Sequence, residues 1–90
     1  MTESFQMANS SLADGERLIA RSDYKEANRA LVAGISTLGN SYHSPSVIDD
    51  SGQRLVLASS EERAGRLNIA ANIRAAVLRS RLQFCSRMRD

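Results

Sequence analysis

A chain of 90 residues, 42% hydrophobic and 24% charged, has the composition of one ordinary globular domain rather than of a disordered chain. No apolar run approaches the roughly 20 residues of a membrane helix, and residues 1–7 lack the basic and apolar regions of a secretory signal. The single cysteine cannot form an internal disulfide, which favours a reducing compartment, so we expect a cytoplasmic protein with no membrane partner.

Charge is distributed unevenly along the chain. Residues 1–50 carry four basic and seven acidic side chains, net −3, whereas residues 51–90 carry eight and three, net +5. Such a dipole can steer association, including head-to-tail self-association. Arginine outnumbers lysine by eleven to one, which suits bidentate contacts with carboxylates or phosphates but is also what a GC-rich genome produces.

The core must be built with few large aromatic side chains. The chain has two Phe, two Tyr and no Trp, so Leu, Ile, Val and Ala have to fill the interior, which suits closely packed helices. No segment alternates apolar and polar residues over the length of a strand. The sequence therefore predicts an all-α fold of four antiparallel helices in two helical hairpins, within a single domain.

Four helices are predicted in chain order, and the residues between them are typical of turns. The helices cover about residues 2–21 (with 1–9 open to fraying), 24–38, 46–63 and 66–88, with an inter-hairpin loop at 40–45. Asp23 and Glu26 match a capping box at the start of helix 2. Gly39 is predicted to stop helix 2 in a left-handed conformation, Pro45 to lie near the start of helix 3, and Gly65 to be a cap or a kink.

Small residues fall where helices 1 and 2 would cross. Gly15 lies in helix 1, and Ala27 and Gly34 lie in helix 2. A glycine inside a helix costs about 1 kcal/mol relative to alanine, so we expect the close approach of a neighbouring backbone to compensate for Gly34. Larger residues at these positions would wedge the helices apart at a cost of about 1–3 kcal/mol each.

These residues resemble a known repeat. Gly15, Asp23-Tyr24-Lys25-Glu26-Ala27 and Gly34-Ile35 are similar to the small residues and short turn of a tetratricopeptide repeat. The resemblance implies tandem helical hairpins that bind a protein segment in a groove. A small helical bundle is the alternative architecture.

The second half resembles a degenerate copy of the same repeat. Ala58, residues 65–70 and Val77-Leu78 follow at an interval of 43 residues, longer than the 34 residues usual for this repeat. The chain departs from the family pattern at Ser11 and Arg54, where a bulky residue is expected, and it lacks the proline after each second helix.

Helix 4 has an apolar face that is wider than one neighbouring helix can cover. Its two adjacent stripes consist of Leu67, Ala70, Ile73, Val77, Phe84 and Met88, and of Ala71, Ala75, Leu78, Leu82 and Cys85. Either helix 4 packs centrally against several helices, or a second chain buries part of its face. Because two repeat units leave an uncovered apolar edge, we expect self-association or a protein partner.

Helix 4 is also rich in arginine. Arg74 and Arg81 are seven residues apart and share a helix face, which can be a solvated face, a contact for an acidic protein, or a contact for nucleic-acid phosphates. No aromatic residues are interleaved for base stacking, so nucleic acid ranks below protein. The predicted partner-binding residues are Arg74, Val77, Arg81, Leu82, Phe84 and Met88.

No catalytic, cofactor-binding or metal-binding residue is predicted. His43 and Cys85 are the only residues of their types, and their separation does not fit metal-ligand spacing, so we expect a loop position and a buried apolar position. A triad of Ser44, His43 and either Asp49 or Asp50 would lie within one short stretch, unlike triads that converge from separate elements. Asp49 and Asp50 fit a helix first turn better than a cation loop. No glycine pattern matches a phosphate loop, and no small-molecule substrate is expected.

These features predict a small non-enzymatic protein-interaction module, a bacterial or phage-type adaptor, chaperone or inhibitor that forms a homo-oligomer. The partner would bind in a helical groove, such as one lined by helices 1 and 3, or on the apolar face of helix 4. The alternative is a nucleic-acid-associated regulator that uses the Arg-rich carboxyl-terminal helix, for which binding should weaken steeply with added salt.

Overall fold

The computed structural model describes residues 2–39 and 51–89, with side chains described at positions 3–38 and 52–84. The described residues form four α-helices, and no β-strand occurs among them. The helices are α1 (Thr2–Ala20), α2 (Tyr24–Gly39), α3 (Ser51–Arg63) and α4 (Leu67–Arg89). The prediction of an all-α fold is therefore confirmed.

The predicted boundaries of helices 1, 2 and 4 agree with the structure to within one residue. Gly39 is the last residue of α2, whereas the prediction placed it just beyond the helix. The predictions for residues 40–50, including the inter-hairpin loop, His43, Pro45 and Asp49, lie outside the described residues. Within the described ranges, none of the helices has the length and hydropathy needed to cross a bilayer.

The first hairpin turns through a Schellman motif at the end of α1. Asp23 N–H donates to the carbonyl of Leu18, and Ser22 N–H donates to the carbonyl of Ile19, both at 2.9 Å. This pair of bonds satisfies carbonyls that the end of a helix would otherwise leave free, and it requires a left-handed residue between them. That residue is Ser22, with φ of 61°. The predicted helix stop at Ser22-Asp23 is confirmed.

The second hairpin turns in the same way, 43 residues further along the chain. Arg66 N–H donates to the carbonyl of Glu61 (2.9 Å), and Gly65 N–H donates to the carbonyl of Glu62 (3.0 Å). Gly65 takes the left-handed position with φ of 86°, so it is a cap and not a kink. The Arg66 side chain also donates to the Glu61 carboxylate, and this hydrogen bond holds the pKa of that carboxyl below its usual value.

The start of α2 uses a simpler cap than the predicted capping box. The backbone carbonyl of Asp23 accepts a hydrogen bond from Ala27 N–H at 3.0 Å, which starts the helix. The carboxylate of Glu26 accepts from Arg29 at 3.4 Å instead of reaching back toward Asp23. The reciprocal side-chain bonds of a capping box are therefore not formed between these two residues.

The two left-handed positions predict opposite responses to substitution. Ser22→Gly should raise the free energy of unfolding by about 0.5 kcal/mol, the relief of left-handed strain minus the added chain entropy of glycine. Gly65→Ala should lower it by about 1 kcal/mol, because alanine is strained at positive φ. Thermal unfolding followed by circular dichroism measures both changes in stability. Gly52→Ala is the control, because the methyl group added at Gly52 meets no described atom within 4 Å. Melting-temperature shifts of equal sign for Ser22→Gly and Gly65→Ala would contradict the left-handed conformations of these two residues.

Helix α4 is the central element of the described structure. It packs against α1, α2 and α3, and α1 also packs against α2, whereas described residues of α3 contact α4 alone. The core comes from α1, α2 and α4, and its buried members are Ala8, Ala27, Leu31, Leu38, Ala71, Ala75, Leu78 and Leu82. The wide apolar face of helix 4 is expected to pack against several helices or against a second chain. Along its described side chains, the structure shows packing against several helices.

Two buried glycines make room for this packing. A Cβ atom on Gly15 would lie 2.6 Å from both Cγ and Cδ2 of Leu31. A Cβ atom on Gly34 would lie 2.7 Å from the Cβ of Ser11 and 2.9 Å from Cδ2 of Leu78. Because carbon atoms in contact are normally about 3.5–4.0 Å apart, neither position can hold a side chain without movement. The predicted need for small residues is confirmed, although side chains and not a bare backbone fill the space.

Candidate functional site

Three of the six predicted partner-binding residues are buried inside the chain. They are Arg74, Val77 and Leu82, none of them more than 6% exposed. Arg81 and Phe84 are half-buried, and the side chain of Met88 lies outside the described residues. Because α4 is the central helix, its neighbours cover the face that holds these residues. The side chains at these three positions are thus not on the surface of the chain, and partner binding through α4 stays a prediction.

The arginines of α4 do not form the exposed row that the spacing suggests. Arg74 is buried, and Arg81 is half-buried and has interactions of its own. Arg79 is exposed and pairs with Glu16 of α1. Arg74 is thus removed from the set of residues that could contact nucleic-acid phosphates, while the side chains at 87 and 89 lie outside the described part.

The main polar feature of the interior is the environment of Arg74. Its Nη1 donates to Oδ1 of Asn28 at 2.8 Å and to the carboxylate of Glu62. Its Nη2 lies 3.4 Å from Oγ of Ser59. A buried guanidinium is costly unless it is paired and hydrogen-bonded. Here one arginine of α4 joins a side chain of α2 to side chains of α3.

Asn28 completes this network on the side of α2. It is only 5% exposed, and its Nδ2 donates to the carbonyls of Tyr24 (2.7 Å) and Leu67 (3.1 Å). With Oδ1 accepting from Arg74, both donors and the acceptor of the amide are used. The carbonyl of Leu67 belongs to the first residue of α4, so Asn28 also fixes the start of that helix against α2.

An open groove lies between α2 and α3 and shares Asn28 and Glu62 with this network. Its volume is about 380 Å³. Its lining consists of Lys25, Asn28, Arg29, Val32 and Ala33 of α2 and Glu62 of α3. The groove exists because α3 rests on α4 alone. Val32 is 44% exposed in it, although it is a large apolar side chain. The groove thus places two apolar residues of α2 between charged side chains on an open surface.

The described lining of the groove consists of charged, amide and apolar side chains. Among the described residues of the lining there is no serine, cysteine or histidine. Glu62 is the one carboxylate among those residues and is held by Arg74. In the part of the chain that the structure describes, no group of three His, Cys, Asp or Glu side chains is placed to hold a metal ion.

Comparison with protein-family models, with curated proteins and with solved structures finds no match for this chain. The resemblance to a tetratricopeptide repeat therefore depends on the residues alone and stays a prediction. The two matching turns are compatible with it, but the same turn closes many unrelated helical hairpins.

Sequence reasoning misses both the groove and the residues that frame it. It predicts a groove lined by helices 1 and 3, which stays a prediction, and it does not predict the groove between α2 and α3. The missed residues are Asn28 and Glu62. A signal for Asn28 is present, since this polar residue lies three positions before Leu31 on the buried stripe of α2. Arg74 likewise interrupts an apolar stripe, and a polar residue at such a position indicates a buried partner.

Proposed function

We propose that this chain is a small non-enzymatic protein-binding module that holds a segment of its partner in the groove between α2 and α3. The observation that carries this proposal is that α3 packs on α4 alone and leaves Val32 and Ala33 open between the two helices. An adaptor, a chaperone and an inhibitor could each use such a groove.

The framework of the groove supports this proposal because it is rigidly tied together. The Arg74 network connects α2, α3 and α4 beneath the groove, and Asn28 and Glu62 belong to both the network and the lining. A preformed groove loses less conformational entropy on binding than one that must be ordered first. The self-association predicted from helix 4 has less support, since the described apolar face of that helix is covered within the chain.

Panning a random peptide library against the purified chain tests the proposal. Selected peptides should bind the unaltered chain and lose at least about tenfold in affinity on Val32→Arg, because the new charge would occupy the apolar part of the groove. Met7→Arg is the matched control, since Met7 is also an exposed apolar residue (58%) but lies on α1, outside the groove. Peptides that bind both variants equally, or the absence of any selected peptide, would contradict the proposal.

A further inference from the structure

We infer that the groove between α2 and α3 selects an amphipathic segment whose apolar side chains are flanked by carboxylates, an inference that rests on the proposed protein-binding function. The charges of the lining and their order along α2 favour such a segment. A segment of this kind would bring two features to the groove, an apolar contact and a negative charge, at a fixed separation.

The lining has an excess of positive charge. Lys25 and Arg29 lie on the α2 side, while Glu62, on the α3 side, is neutralised by its pairing with Arg74. Arg29 is 73% exposed and approaches Glu26 at a distance of 3.4 Å, so its guanidinium keeps donors directed to solvent. The described residues offer Lys25 no ion-pair partner. Lys25 is thus available to an incoming carboxylate, and Arg29, although paired with Glu26, still has N–H donors that face solvent.

The dipole of α2 adds to this preference. The helix begins at Tyr24, which places Lys25 in its first turn, where the free backbone N–H groups favour negative charge. Glu26 already lies in this turn, but its carboxylate is taken up by Arg29. An acidic side chain of a partner is therefore stabilised by the helix end as well as by the two cations.

The order of the lining along α2 fixes the spacing of the occupant. Basic residues come first, at Lys25 and Arg29, and the apolar residues Val32 and Ala33 follow. Seven residues of helix separate Lys25 from Val32, a rise of roughly 10 Å. The occupant should therefore place its carboxylates one to two helical turns from the leucine, isoleucine or similar side chain that covers Val32. A segment with basic residues at the same positions would be repelled.

Two matched peptides test this inference on the full chain. Both are 14-residue synthetic amphipathic helices with the same leucines, and one carries Glu and the other Lys beside the apolar face. Fluorescence anisotropy should show the Glu peptide binding about tenfold or more tightly, with a difference that shrinks as salt screens the charges. In the variant with Lys25→Glu and Arg29→Glu, the preference should disappear or reverse.

The control variant carries Arg17→Glu in α1 and Arg21→Glu in the turn after α1, which changes the net charge equally outside the groove. It should keep the preference for the Glu peptide. Equal affinities of the unaltered chain for the two peptides, a preference for the Lys peptide, or no binding of either peptide would overturn the inference. Displacement of the Glu peptide by a 20-base-pair DNA duplex at equimolar concentration would overturn it as well. If panning still yields neutral or basic peptides that depend on Val32, the proposed function stands while this inference fails.

Discussion

Replacing Gly34 by leucine is expected to lower the free energy of unfolding by about 3 kcal/mol or more. A single Cβ atom at this position already comes within 2.7 Å of Ser11 Cβ and 2.9 Å of Leu78 Cδ2. The Cβ of Ser11 is fixed to the backbone of α1 and cannot rotate away. The gain in helix propensity on replacing glycine, at most about 1 kcal/mol, is therefore outweighed by overlap. Since a domain of this size is stable by only about 5–13 kcal/mol in total, the variant should unfold at a much lower urea concentration.

The matched control is Gly52→Leu in α3, because a Cβ atom at Gly52 meets no described atom within 4 Å. It should leave the urea midpoint nearly unchanged or raise it slightly. A double variant separates overlap from other causes. Gly34→Ala adds only the Cβ atom, and Ser11→Gly removes the atom nearest to it. The double variant should therefore recover part of the stability that Gly34→Ala loses. Equal urea midpoints for Gly34→Leu and Gly52→Leu would contradict the close packing of α1, α2 and α4.

Removing the buried guanidinium is expected to have the second large effect. Arg74→Ala should destabilise the chain by about 2–4 kcal/mol, since it leaves Oδ1 of Asn28 without its donor in the interior and also deletes a well-packed side chain. The partly exposed carboxylate of Glu62 can turn to water, so the full penalty of an unpaired buried charge does not arise. Urea unfolding followed by circular dichroism measures the loss.

A comparison with an exposed ion pair makes this prediction specific. Arg79→Ala breaks the pair with Glu16 on the surface and should change the free energy of unfolding by no more than about 1 kcal/mol. Arg74→Met keeps the aliphatic volume and should recover the packing part of the loss but not the hydrogen bond to Asn28. If Arg74→Ala is no more destabilising than Arg79→Ala, the network does not hold α2, α3 and α4 together.

Local patterns predict much of this fold because they act over short distances. The helix stops near Ser22 and Gly65 follow from turn chemistry, and the small residues Gly15 and Gly34 follow from their places on apolar stripes. Each of these signals depends on residues a few positions apart, and the structure confirms them. The wide apolar face of helix 4 predicts either several neighbouring helices or a second chain, and the described residues show several neighbouring helices.

The site could not be predicted in the same way, because it depends on which helices are neighbours. Periodicity places Arg74 and Arg81 on one face of helix 4, but it does not say which side of that helix faces α2. The bond from Arg74 to Asn28 joins residues 46 positions apart, and no local rule pairs them. The groove has the same origin, since it follows from α3 resting on α4 alone.

The groove between α2 and α3 is the central claim, and its most direct test is amide chemical-shift mapping by NMR with a panned peptide added to the isotope-labelled chain. We predict that the largest shift changes fall between Lys25 and Ala33 and around Glu62, and that the outer side of α1 near Met7 stays unchanged. If the largest changes instead cluster around Met7, with α2 unaffected, the binding site lies elsewhere and the account is wrong.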